Sequence, residues 1–84
     1  MPTISMFYGI IIMMYLRDKE HNPPHIHAFY GEHAATFYIS TGEIMEGELP
    51  QRAKKMVKEF IKKYQTEVLN MWTTGKYMKL QGLE

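Results

Sequence analysis

Residues 25–40 read His-Ile-His-Ala-Phe-Tyr-Gly-Glu-His-Ala-Ala-Thr-Phe-Tyr-Ile-Ser. Strand-forming aromatic and β-branched residues stand on both sides of Gly31-Glu32, a Gly-X pair that suits a type II′ turn. This stretch therefore predicts a β-hairpin whose strands are His25–Tyr30 and His33–Ser40. The rest of the fold depends on which face of this hairpin meets the core.

A two-residue loop fixes the cross-strand pairs of the hairpin and thereby assigns its side chains to faces. The more apolar face, which we expect to meet the core, carries Ile26, Ala28, Tyr30, His33, Ala35, Phe37 and Ile39. The alternate face carries His25, His27, Phe29, Ala34, Thr36 and Tyr38. We therefore expect His25 and His27 to share a face away from the core, with His33 on the other side. A register slip of one residue would exchange the two faces.

The segments before and after the hairpin complete the predicted fold. The apolar run Phe7–Leu16 predicts one central strand, and Thr41-Gly42 predicts a turn into a short edge strand at Glu43–Glu48. Between Pro50, which suits the first turn of a helix, and Gly75, which should end it, one apolar stripe recurs at three- and four-residue steps. The stripe consists of Ala53, Met56, Val57, Phe60, Ile61, Tyr64, Val68, Leu69 and Trp72. We predict an α+β fold, an antiparallel β-meander of about four strands with one long C-terminal helix packed on one face.

Length and composition limit the kind of protein. The 84 residues predict a single domain, 1–84, with one modest core. The lack of cysteine excludes disulfides and thiolate metal sites and favours a cytoplasmic protein. We expect no secretory signal, because residues 1–5 lack a basic n-region and no small-residue cleavage site follows the apolar run from Met6 to Leu16. We expect no membrane contact, because that run is shorter than the ~20 residues of a membrane helix. The chain also lacks a P-loop and a dinucleotide-binding fingerprint.

The formal net charge of +1 hides an asymmetry between the two ends of the chain. Residues 1–50 contain two basic and six acidic residues, a net charge of −4, whereas residues 51–84 contain eight basic and three acidic residues, a net charge of +5. The polar face of the predicted helix carries Arg52, Lys55, Lys58 and Lys62, with Lys54 and Lys63 near its margin. This face is either an ordinary solvated surface or a surface for RNA, DNA or an acidic partner protein.

All four histidines of the chain lie within thirteen residues, from His21 to His33. The prolines of Pro23-Pro24 fix their own φ angles and push Asn22 toward an extended conformation, so the loop beside the histidines should be stiff. Histidine titrates near neutral pH and is the commonest metal ligand in proteins. Such a cluster on a stiff loop is a candidate functional site.

Three accounts of the cluster stay open. In the first, His21, His25 and His27 bind a divalent transition metal, although the predicted strand pairing brings no carboxylate beside them. In the second, His25, His27 and Tyr38, with Arg17 or Lys19 as the cation, perform metal-free general acid–base chemistry on RNA. In the third, the rings hydrogen-bond loop carbonyls and have a structural role only. We favour a metal-free site without a cofactor, and the sequence leaves open whether the protein is an enzyme.

Four stretches of sequence, spread over nearly the whole chain, together form a recognisable pattern. They are Met1-Pro2-Thr3-Ile4-Ser5 with Phe7-Tyr8-Gly9-Ile10, His21-Asn22-Pro23-Pro24-His25-Ile26-His27-Ala28, Tyr30-Gly31-Glu32, and Thr41-Gly42-Glu43 followed by Glu46-Gly47 and Leu49-Pro50. In these stretches, and in the long helix that ends in Trp72, the chain resembles the DhiT-type family of small bacterial proteins, a domain of unknown function. It departs from the pattern of that family at Arg17-Asp18-Lys19-Glu20, which is unusually charged.

The resemblance implies a small cytosolic domain of sheet and helix that is the toxin of a type II toxin–antitoxin pair. We therefore expect a protein that acts on or near nucleic acid, RNA or DNA, through its histidine cluster. A cognate antitoxin-like protein from the neighbouring gene is its expected partner, and a homo-oligomer stays open. The alternative is a non-enzymatic module that binds protein or DNA and whose histidines are structural or hold a metal.

Overall fold

Five strands form one antiparallel sheet within residues 2–14 and 23–83, the part of the chain that the computed structural model describes, and two helices follow it. The elements are β1 (Thr3–Phe7), β2 (Ile10–Met13), β3 (His25–Tyr30), β4 (His33–Tyr38), β5 (Ile44–Glu48), α1 (Gln51–Lys63) and α2 (Gln65–Thr74). The strands lie in the order β1-β2-β3-β4-β5, each antiparallel to the next. The α+β class and the meander are confirmed, with one more strand and one more helix than predicted.

The central hairpin, β3 and β4, has the predicted register, because every expected cross-strand pair is present. Gly31 has a φ of 58° and Glu32 does not have a positive φ, as the predicted type II′ turn requires. The face predicted to meet the core does so, since Ile26, Ala28 and Phe37 have no exposed surface. The alternation of side chains along these strands therefore identifies the core face correctly.

The apolar run Phe7–Leu16 does not form the single central strand that its composition predicts. The chain reverses at Tyr8-Gly9, so the run is divided between the edge strand β1 and the inner strand β2. Tyr8 and Gly9 have φ angles of 49° and 80°, the two positive values of a type I′ turn. A bulky residue at positive φ is uncommon. The sequence Tyr8-Gly9 therefore does not indicate a turn, and the sequence pattern assigns it to the strand. Residues 15 and 16 lie outside the described residues.

The predicted long helix is divided at Tyr64, whose φ of −113° and ψ of 26° lie outside the helical range. Beside the break, the Gln65 side-chain amide donates to the main-chain oxygens of Ile39 and Ser40, at 2.6 and 3.0 Å. Gly75 ends α2 in the left-handed conformation, as predicted. Leu69, which the apolar stripe includes, is 42% exposed and was wrongly assigned to the core.

Both helices contribute to one core on the Ile26 face of the sheet. The buried residues of α1 are Ala53, Val57, Phe60 and Ile61, and those of α2 are Val68 and Met71. The rings of Phe7 and Phe60 stack with their centroids 5.2 Å apart, which joins β1 to α1. None of the helices in residues 2–14 and 23–83 is long and apolar enough to cross a membrane.

A C-terminal segment, residues 76–83, runs along the outer edge of β1. The Leu80 amide donates to the Ile4 carbonyl at 2.7 Å, and the Ser5 hydroxyl donates to the Leu80 carbonyl at 2.9 Å. Gly82 lies so close to β1 that a Cβ there would be 2.5 Å from the Cβ of Phe7. The segment therefore covers backbone groups that an edge strand otherwise leaves open.

Candidate functional site

His25 and His27 lie side by side on the face of β3 that points away from Ile26, as predicted. Their ring centroids are 5.2 Å apart and their planes are inclined at 76°. We call them the histidine pair. Their shared face follows from the two-residue period of a strand, which places alternate side chains on the same side.

The surroundings of His25 hold its ring in place. Its Nδ1 lies 2.9 Å from the carbonyl oxygen of Pro23, and because a carbonyl can only accept, Nδ1 is the donor. The ring centroid of Trp72, on α2, is 4.9 Å away. His25 is only 5% exposed, so the expectation that this face is free of the core fails at this residue. The reason is that α2 reaches the ring from 47 residues further along the chain.

His27 is half-buried, and its Nδ1 lies 3.4 Å from the hydroxyl oxygen of Thr36. Tyr38 is the direct cross-strand partner of His25 and is also half-buried. The structure therefore brings His25, His27 and Tyr38 together on adjacent strands, as predicted. The cation assigned to the same site, Arg17, lies outside the described residues.

The predicted metal site has no third ligand in the part of the chain that the structure describes. No group of three or more histidine, aspartate, glutamate or cysteine side chains lies close enough there to hold an ion. The third candidate ligand, His21, lies outside this part. Two imidazoles, one of them oriented by a main-chain carbonyl, supply the groups needed to accept and donate a proton.

The predicted basic surface forms one side of α1, and we call Arg52, Lys55, Lys58 and Lys62 the basic face. Arg52, Lys55 and Lys62 are exposed, whereas Lys58 is half-buried and pairs with Glu43 at 3.3 Å. A surface groove of about 360 Å³ runs along this side, lined by Gln51, Lys54, Lys55, Lys58, Glu59 and Lys62. One helix thus holds all four predicted cations on one continuous surface.

The histidine pair and the basic face lie on opposite sides of the molecule. Val57, Phe60 and Ile61 bury one side of α1 on the Ile26 face of the sheet, so Lys55 and Lys62 lie on the side of the helix away from the sheet. The histidine pair projects from the other face. The five strands contain no lysine or arginine. The strand positions beside the imidazoles therefore supply no positive charge for a phosphate.

A second groove, which sequence reasoning missed, lies where two turns meet the start of α1. It has a volume of about 260 Å³ and is lined by Tyr8, Ile10, Tyr30, Pro50, Arg52, Ala53 and Met56. We call it the tyrosine groove, because Tyr8 and Tyr30 are 54% and 37% exposed. The signal available in the sequence was that each tyrosine precedes a turn glycine, Gly9 or Gly31.

Comparison with known proteins gives a family but no activity. Residues 9–73 match the model of a family described as a domain of unknown function (DUF4160). No curated protein and no solved structure matches the chain. The match confirms the resemblance to a family of small domains of unknown function and leaves the toxin role a prediction.

Proposed function

The chain belongs to the DUF4160 family, and we propose that it binds nucleic acid through the basic face, as the toxin-like half of a bacterial two-protein module. A cognate antitoxin-like protein from the neighbouring gene neutralises it. The description of the family assigns no activity, so the support comes from the site. The observation that carries the proposal is the charge of α1, which has six lysines and arginines and one glutamate in thirteen residues.

The arrangement of these cations favours phosphate contact over an ordinary solvated surface. Lys55 and Lys62 are exposed and seven residues apart on a helix, so their Cα atoms are about 10 Å apart along its axis. The buried side of α1, centred on Val57 and Phe60, fixes the helix to the sheet. A rigid row of positive charges attracts a polyanion without requiring the protein to become ordered on binding.

Salt dependence tests this proposal directly. Binding of a labelled oligonucleotide should weaken linearly in a plot of log affinity against log salt, because phosphate contacts release counterions. Reversing charge with Lys55→Glu and Lys62→Glu should lower the affinity and reduce the slope by about one for each cation removed. Thermal stability should hardly change, since both side chains are exposed.

The matched control reverses the same charge outside α1, with Lys76→Glu and Lys79→Glu in the C-terminal segment. Both of these lysines are also exposed. We expect the control protein to keep the salt slope of the parent chain. Equal losses in the two double variants, or binding that ignores salt, would make the basic face an ordinary solvated surface.

A second candidate function is acid–base cleavage of RNA at the histidine pair. It is favoured by the hydrogen bond from His25 to the Pro23 carbonyl, which selects one tautomer of that ring and orients it. Its weakness is that the five described strands contain no lysine or arginine for the phosphate, and the predicted cation, Arg17 or Lys19, lies outside the described residues. The geometry supports this function less well than binding along α1.

Growth arrest on expression separates the two functions. The parent chain should arrest growth when expressed alone and should be harmless when the neighbouring gene is expressed with it. If binding is the function, Lys55→Glu with Lys62→Glu abolishes the arrest and His27→Ala preserves it. The reverse pattern would favour chemistry at the histidine pair. Folded parent protein that never arrests growth would contradict the toxin role.

A further inference from the structure

We infer that the tyrosine groove holds one unpaired base of a single-stranded nucleic acid, with Arg52 on the adjoining phosphate. This inference rests on the proposed function, because it assigns a base-binding site to the same nucleic acid. The groove has walls that suit a flat, weakly polar ring. Ile10, Ala53 and Met56 give it apolar surface, and the two exposed tyrosines give it aromatic faces. Bases stack on such faces with little dependence on sequence.

The position of the groove relative to the basic face supports this ligand. Arg52 lines the groove and is also the first cation of the basic face. Lys55 lies one helical turn further along α1, and Lys62 lies two turns beyond it. A strand whose phosphates follow these cations therefore passes the mouth of the groove. The cations favour a polyanion, and the aromatic walls of the groove favour one that carries free aromatic rings. Single-stranded nucleic acid has both properties.

The backbone of Tyr8 gives a second, independent indication. A type I′ turn is best served by Asn-Gly, yet this turn has a bulky residue at a φ of 49°. Strain of this kind concentrates where a side chain has a function. The turn therefore keeps an aromatic ring at the groove although asparagine suits its backbone better.

Tyr30 is held at the groove by contact with Gly9, in the same turn as Tyr8. A Cβ added to Gly9 would lie 3.4 Å from Cε1 of Tyr30, so the Tyr30 ring packs over the glycine. The second residue of the turn thus contacts one tyrosine ring while the first residue carries the other. Both rings are positioned by the Tyr8-Gly9 turn.

The size of the groove and the need for a free base favour a single strand over a duplex. About 260 Å³ accommodates one ring system, and the bases of a duplex are stacked on each other and unavailable for insertion. A free base at a strand end or in a loop can enter without breaking pairs. We therefore expect single strands to bind more tightly than a duplex of the same length at equal salt.

The test uses the full chain and three labelled probes of equal length, an oligothymidylate, an abasic strand with the same phosphates, and a duplex. Fluorescence anisotropy should give about ten-fold tighter binding to the oligothymidylate than to the abasic strand. Binding to each of the three should weaken with salt. The abasic strand therefore reports on the basic face alone.

Tyr8→Asn is the decisive variant, because its two expected effects have opposite signs. Asparagine relieves the strain of the turn and should raise the melting temperature by about 4–8 °C. Loss of the ring should lower the affinity for oligothymidylate by up to about ten-fold, toward the level of the abasic strand, since Tyr30 remains in the groove. A merely structural tyrosine would not give a more stable protein that binds more weakly.

Two control variants test whether the aromatic ring of Tyr8 causes the loss of affinity. Tyr8→Phe keeps the aromatic face and should bind oligothymidylate as the parent chain does. Tyr77 is 51% exposed and outside the groove, so Tyr77→Ala should leave the affinity unchanged. Equal losses in Tyr77→Ala and Tyr8→Asn would overturn the assignment.

The possible failures are distinguishable. If the oligothymidylate and the abasic strand bind equally and Tyr8→Asn changes neither, the base site is wrong and the proposed function stands. If no probe binds in a salt-dependent way, both fail. If Tyr8→Asn leaves oligonucleotide binding intact and weakens binding of the neighbouring gene product, the groove is a protein contact and the inference is overturned.

Discussion

His25 and His27 occupy equivalent positions on one strand face and yet have different surroundings. His25 is almost fully buried, donates to the Pro23 carbonyl and lies against Trp72. His27 is half-buried and approaches a hydroxyl on β4. The first ring therefore has a structural role beyond any chemistry, whereas the second ring is less buried as a whole although its Nε2 atom has almost no contact with solvent.

This difference predicts unequal losses of stability. His25→Ala should lower the free energy of unfolding by about 2 kcal/mol, because it leaves the Pro23 carbonyl without its donor and a gap beside Trp72. His27→Ala should cost less than about 1 kcal/mol. Urea denaturation of both variants measures the difference, and His25→Asn, which can still donate to the carbonyl, should recover part of the loss. Equal losses would show that the two rings support the fold alike.

The elements of this fold were predictable where a local pattern dictates them. The β3–β4 hairpin follows from Gly31-Glu32 and the alternation on either side, so the register, the core face and the meeting of His25, His27 and Tyr38 could all be predicted. The β1–β2 turn was missed because Tyr8 is not a turn residue by type, and only the structure reveals its positive φ.

Features that join distant elements could not be predicted. The tyrosine groove combines two turns with the start of α1, and the cover over His25 comes from α2. The break at Tyr64 is another such case. The apolar stripe runs through the junction almost without a phase change, while Gln65 is tied to the chain leaving β4. Tertiary hydrogen bonds, which periodicity does not encode, accompany this break.

Gln65 is therefore expected to matter more than its exposure suggests. Gln65→Ala removes both hydrogen bonds to the main-chain oxygens of Ile39 and Ser40 and should lower the free energy of unfolding by about 1–2 kcal/mol. Thr66→Ala, at the exposed neighbouring position, is the control and should change it by less than about 0.5 kcal/mol. Thermal or urea denaturation gives both values. If Gln65→Ala is as mild as the control, the junction is held by packing alone.

At the scale of the whole molecule, the two edges of the sheet are protected by different means. The β5 edge carries Glu46 and Glu48 and has an irregular backbone at Gly47, where φ is 84° and a Cβ would collide with the Ala34 carbonyl. Charge and irregular backbone both discourage pairing with another strand. The β1 edge is covered by the C-terminal segment instead.

Displacing that segment should expose a pairing edge. Gly82→Val introduces a side chain where even a Cβ would be 2.5 Å from Phe7, so the segment can no longer lie against β1. We expect a loss of about 1–3 kcal/mol of stability and self-association that increases with concentration, measured by sedimentation velocity. Gln81→Val, at an exposed position, is the control. Indistinguishable behaviour of the two variants would mean that the segment does not protect the edge.

The closure of β1 by the C-terminal segment also has a consequence for synthesis in the cell. Ser5 and Leu80, which share a hydrogen bond, are separated by 75 positions in the chain. At ~5–20 residues per second, a ribosome needs roughly 4–15 s to travel between them. Throughout that interval the first strand exists without its cover. A nascent chain that stalls before Leu80 presents an open strand to chaperones, proteases and other nascent copies, so uninterrupted translation from Ser5 to Leu80 becomes a determinant of how much protein stays monodisperse.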